Sequence, residues 1–213
     1  MRCYATLGSF EIRERQIGDG ISPGVMDMWD AQVSLWVQQS VVDALVRVND
    51  RVAEEIRQAG QTAWVGRMPL KELISIRTVY YYVTDASEPR DPAEPGGSGP
   101  ALPPESADEV FTHTVSNDLY DVVQFTVKMV VDAREVPTIV SEICKDNFHT
   151  LLRIAFEDVS TNPQLWLMSD KIYGSDPTVQ VVMDFETVFF GELYRLLMPD
   201  EIRDALGLPE REE

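Results

Sequence analysis

Apolar and mostly polar residues alternate through Val123-Gln124-Phe125-Thr126-Val127-Lys128-Met129-Val130-Val131-Asp132, the pattern of a strand with one buried face. Three other segments carry a similar period. Residues 2 to 13 set Tyr4, Thr6, Phe10 and Ile12 against Glu11 and Arg13, although Gly8 interrupts them. Leu73 to Val83 places Ile74, Ile76, Thr78, Tyr80 and Tyr82 on one parity, and Thr150 to Val159 opposes Leu152, Ile154 and Phe156 to Arg153 and Glu157. A last strand is expected from Thr178 to Phe190, with Val179, Val181, Met183, Phe185 and Phe189 inward.

Helical spacing appears in two places. From Gly24 to Ala59 apolar residues recur at Met26, Trp29, Val33, Trp36, Val41, Leu45, Val48, Val52 and Ile56, along one drifting stripe. Ser22 and Pro23 are start signals and Gly60 is a stop. A shorter helix is expected from Arg134 to Lys145, with Val136, Ile139, Val140 and Ile143 inward and Pro137 in its first turn. Pro199 to Gly207 closes the chain as a short helix, and Ser160 to Pro177 is a connector carrying Trp166 and Tyr173.

Between the two patterned halves, 2–83 and 115–198, lies the stretch Asp85 to Glu109. It holds six of the 13 prolines, seven acidic residues and only Arg90 as a base. Such composition buries too little apolar surface to offset its ordering entropy, so a disordered, extended loop is expected there. Strand, helix, strand, loop, strand, helix, strand with one strand added gives an α+β class: a ferredoxin-like split βαβ antiparallel sheet with both helices on one face. On this reading residues 1–213 form a single domain, interrupted by the loop at 85–109 and finished by the helix at 199–207.

Composition narrows the chemistry. The 213 residues carry a net charge of -18, which opposes binding to a phosphate backbone, so nucleic acid is not an expected partner. The acidity serves as a solvated surface or steers a basic partner. Two cysteines, Cys3 and Cys144, are too few for a disulfide framework or a Cys-rich zinc site; Cys144 sits among Val140, Ile143 and Phe148 as a small buried hydrophobe. The opening residues lack the apolar run of a signal peptide and nothing approaches a membrane span, which reads as a soluble chain; its start almost inside a strand-like segment reads as a piece of something longer.

No phosphate loop, nucleophile elbow or zinc-binding helix occurs, and no enzyme, metal or cofactor is expected. His113 stands beside the acidic loop. His149 has three readings: a turn histidine, an acid–base partner of Asp146, or an activator of Cys144. Asp184 and Glu186 on one strand face are a solvated pair or a cation site. Trp29 and Trp36, seven apart with Val33 between, share one face of the long helix; they pack on the sheet or form a helix–helix seam, which makes Trp29, Val33 and Trp36 the candidate interface.

A long amphipathic helix joined to a small acidic ferredoxin-like sheet resembles the PilO- and GspM-like inner-membrane assembly proteins of type IV pili and type II secretion. The resemblance lies in the pattern of Val122 to Asp132, Val136 to Cys144, Leu151 to Val159 and Val179 to Phe190. It implies a non-enzymatic, dimerising scaffold on the periplasmic side of the inner membrane, pairing with itself or with a related subunit. The membrane anchor and coiled coil usual in that family are not in this chain, and the long proline-rich loop has no counterpart there. Outside the resemblance, the same superfold suits a small-ligand-binding regulatory domain or a small enzyme, and a cytoplasmic location.

Overall fold

A computed structural model describes residues 3–10, 24–80, 119–145, 147–157, 159 and 171–205. Expectations for the loop at 85–109, for the start signals Ser22 and Pro23, for His113, Asp146 and Trp166, and for Gly207 fall outside those residues. The elements run α1 (Val25–Gln58), β1 (Leu70–Tyr80), β2 (Tyr120–Asp132), α2 (Val136–Ile143), β3 (His149–Glu157), β4 (Thr178–Phe190), a helical turn α3 (Gly191–Tyr194) and α4 (Asp200–Ala205). The pattern is thus helix-strand-strand, twice.

All four strands lie in one antiparallel sheet of order β1-β2-β4-β3. This order differs from the expected split βαβ sheet. The segment meant to supply its first strand forms, among its described residues, a 3-10 turn at Leu7–Ser9; it meets the outer edge of β1 through isolated parallel bridges, Tyr4 to Glu72 and Phe10 to Ile76, and through Ser9 Oγ, which donates to the Leu73 carbonyl at 2.8 Å. The inner position beside β2 belongs instead to β4, which pairs with it residue for residue from Tyr120–Phe190 to Asp132–Thr178. The physical reason is burial: β4 offers Val181, Met183 and Phe185, all fully buried. Residues 3–10 offer no comparable apolar run and instead screen the open edge of β1.

α1 begins where Gly24 donates its N–H to Asp27 Oδ2 at 3.2 Å. It ends at Gly60, whose φ of 73° lets the N–H groups of Gly60 and Gln61 fold back onto Arg57 and Ile56. Its 34 residues reach about 51 Å. Trp29, Val33, Val37, Val41, Leu45 and Val48 join Ile139 and Ile143 of α2 in covering the sheet face made by Ile76, Phe125, Val127, Met129, Met183 and Phe185. At its centre Phe125 stacks on Phe185 at 5.2 Å.

The other face is polar in its middle. Asp184 accepts hydrogen bonds from Thr126 Oγ1 and Arg153 Nε, both at 2.7 Å, and Glu157 accepts from Lys128 Nζ at 3.1 Å. Both ends of β2 carry a buried aspartate held by arginine. Asp121 takes Arg195 Nη2 at 3.0 Å together with the Tyr194 hydroxyl. Asp132 takes Arg134, whose hydrogen bond holds its carboxyl below the usual range.

Two register shifts alter which side chains face the core. β1 bulges at Lys71 and again at Ile74, so Leu73, rather than Ile74, aligns with Ile76. β3 bulges at Leu152, which puts Leu151 and Ile154 against the core. The first bulge turns Lys71 inward with no exposed surface, where Nζ donates to the Gly66 carbonyl at 2.7 Å and to Asp176 at 3.3 Å. Gly174, at φ 84°, packs on that same Gly66 carbonyl so closely that a side chain there would collide with it.

The bulge gives a direct test. Leu73→Ala is expected to destabilise by about 2–4 kcal/mol, because Leu73 is buried, whereas Ile74→Ala costs under about half as much. Urea unfolding of both variants checks this; equal losses, or a larger loss at Ile74, would restore the unbulged register.

Candidate functional site

The three positions of the candidate helix seam are placed differently from one another. Trp29 and Val33 are buried against the sheet, and Trp36 is half-buried. Trp29 stacks on Tyr194 with centroids 5.9 Å apart and meets Trp36 edge-on at 5.6 Å, while Phe189 packs between Trp36 and Tyr194. These rings tie the first half of α1 to the end of β4 and to α3. The apolar positions that α1 turns to solvent are others: Val25, Met28, Leu35 and Val46, between 36% and 51% exposed.

Beside the aromatic cluster lies a cleft of about 240 Å³ between α1, the start of β3 and the β4–α3 junction. Trp36, Phe189 and Tyr194 form an aromatic wall, and Ser40, Asn147 and His149 a polar one. At its mouth Phe148 and Phe190 meet edge-on at 5.0 Å.

The polar wall was not visible in the sequence, because its parts are far apart in the chain. Ser40 Oγ shares a hydrogen bond with His149 Nε2 at 2.7 Å and also accepts one from Asn147 Nδ2. Ser40 lies in mid-α1, where a serine among valines and glutamines gives no signal. His149 was singled out, but with other partners: Asp146 falls outside the described residues, and burial raises the Cys144 thiol, away from the thiolate a nucleophile needs.

His149 is buried, rests edge-on against Phe125 at 5.1 Å, and has its pKa lowered to about 4 by that burial. Its Nδ1 is buried with no partner among the described residues. A serine–histidine pair works as a nucleophile when a third group orients the imidazole through its other nitrogen. Among the described residues no such group meets Nδ1; burial keeps His149 neutral, and Ser40 and His149 present a hydrogen-bonding wall to the cleft.

The remaining candidates are accounted for. Asp184 is engaged by Thr126 and Arg153, and Glu186 is buried beside it on the strand. No cluster of three metal-ligating side chains occurs among the described residues. Cys3 and Cys144 are both free and half-buried.

No family model matches this chain, and no curated protein does. Among solved structures it is similar to the core region of PilO from the type IV pilus system of Pseudomonas aeruginosa. The two are 16% identical over 36% of this chain and 66% of that one, with a TM-score of 0.26.

Burial of His149 predicts acid sensitivity. Its folded pKa of about 4 lies below the unfolded value near 6.5, so the unfolded chain binds the proton first. The stabilisation is complete above about pH 6.5 and declines as pH falls toward 4, by roughly 2–3 kcal/mol. His149→Gln, which keeps a partner for Ser40, is expected to remove that part of the pH dependence. Urea titrations of both proteins between about pH 7 and 4.5 check it; parallel profiles would show that His149 is not the group responsible.

Proposed function

We propose that the protein is a non-enzymatic assembly module that associates through the outer face of α1. The observation that carries this is the apolar line Met28, Leu35 and Val46, opposite the face that packs on the sheet. At 100° per residue Met28, Leu35 and Val46 fall within about 20° of one another, with half-buried Val42 nearby. The middle of this line, around Leu35, is also free of charge. From Ala31 to Val42 the helix has no charged residue, in a chain whose net charge is -18. Two such helices can approach there without opposing carboxylates, and bulky residues at near-heptad spacing suit a helix pair.

The specific setting extends from the pattern resemblance: a scaffold subunit of a type IV pilus or type II secretion-like system, pairing with itself or a related subunit on the periplasmic side of the inner membrane. No described helix is long and apolar enough to cross a membrane. A second reading, a ligand-binding domain, is favoured by one observation, the cleft at Ser40 and His149.

Sedimentation equilibrium tests the association. The expected result is a dimer whose dissociation constant rises at least tenfold, about 1.4 kcal/mol, in Leu35→Lys, with thermal stability nearly unchanged because Leu35 is exposed. A monomer up to about 0.5 mM, both alone and mixed with a related subunit, would remove the proposal.

A further inference from the structure

The geometry points to the cleft between α1, β3 and α3 as a binding site for a small, uncharged, single-ring aromatic molecule that carries a hydrogen-bonding group, such as a phenol. This stands apart from association through α1, whose outer apolar line lies on the opposite side of the helix from the residues packed on the sheet.

Size comes first. An apolar cavity of about 150 Å³ takes one benzene ring, and drug-sized ligands occupy about 300 Å³ or more. The cleft's 240 Å³ lies between these, enough for one ring and a substituent. Its walls divide the ligand's tasks. Trp36, Phe189 and Tyr194 offer aromatic surface to a ring. Ser40 and Asn147 offer a hydroxyl and an amide to the substituent, and Ser40 is positioned by its bonds to His149 and Asn147.

Charge decides the ligand's character. Among the described residues lining the cleft there is no lysine, arginine, aspartate or glutamate. Burial keeps His149 neutral at ordinary pH. A carboxylate or phosphate would lose its hydration with no cation to replace it, and a primary ammonium would find no carboxylate. A neutral group with a donor and an acceptor loses far less and finds both on the polar wall.

The mouth gives access. Phe148, Phe190 and Leu193 are 64%, 41% and 71% exposed, an apolar rim through which a ring can enter. Such a rim on a soluble surface also needs a reason, and a ligand site supplies one.

Phenol, toluene, benzoate and tetramethylammonium, titrated against the full chain and followed by amide chemical shifts and tryptophan fluorescence, test the assignment. Phenol is expected to saturate, with shifts concentrated at Ser40, Asn147, His149 and Phe190. Toluene should bind about fivefold or more weakly, through loss of its hydrogen bond, and benzoate not at all. Ser40→Ala should bring phenol down to the level of toluene. Leu193→Trp, at an exposed position that leaves the fold intact, should close the mouth and abolish both. No saturation by phenol up to about 10 mM would overturn the site. So would shifts elsewhere on the chain, equal binding in the Leu193→Trp variant, or tighter binding of tetramethylammonium, which would signal a cation cage.

Discussion

The unbroken pairing of β2 with β4 is the constraint on which the other elements depend. These strands match along their whole length, Tyr120–Asp132 against Phe190–Thr178, with no bulge. Each outer strand is bulged where it joins them, β1 at Lys71 and Ile74 and β3 at Leu152. The inner pair thus sets the plane and the face, and the outer strands adjust their register to it. Both inner strands expose Phe, Val and Met to the same side, so a slip of one residue would turn that whole set to the polar face. The stacked pair Phe125 and Phe185 fixes the register at its middle, and the aspartate–arginine clusters at Asp121 and Asp132 fix it at the ends.

That frame dictates where the cleft and the helix lie. The end of β4 delivers Phe189 and Phe190, and α3 begins at once with Gly191, so Tyr194 is turned back onto Trp29. Tyr194 and Arg195 both bind Asp121, which ties this turn to the start of β2. α1 is thereby gripped near its N-terminal half by aromatic rings and farther along by α2, where Arg47 Nε meets Glu142 at 2.8 Å. Ser40 sits between those grips and meets the start of β3 through His149. The cleft is what remains where aromatic packing stops and the polar strut begins.

Much of this was legible because local period and burial agreed. β4 spans the same Thr178 to Phe190 that alternation marked, and α1 differs from its expected bounds by one residue at each end. Bulges were not legible: the extra residues Lys71, Ile74 and Leu152 leave composition unchanged and shift only parity. The strand order was not legible either, since the first segment and β4 both alternate, and only the competition for the inner place separates them. The cleft was half visible. His149 stood out as one of two histidines, but Ser40 is 109 residues away from it in sequence, and no local pattern marks a contact made only by the closed fold.

α1 shows how one helix can serve the fold and keep a second face available. Its inner stripe alone is apolar enough to hold it on the sheet, so Met28, Leu35 and Val46 outside add nothing to that packing. Leaving them in water gives no stabilisation, and the rest of the chain is strongly acidic, so solubility does not call for them. Single exposed apolar residues are ordinary; a line of them bordering a charge-free span from Ala31 to Val42 is less so. Two copies of a chain with a net charge of -18 repel at long range, and salt weakens that repulsion beyond about 8–10 Å. Within that distance the sign of the interaction depends on which surfaces meet. The charge-free span of α1 around Leu35 offers apolar contact with little local repulsion, and acidic surface elsewhere disfavours other orientations.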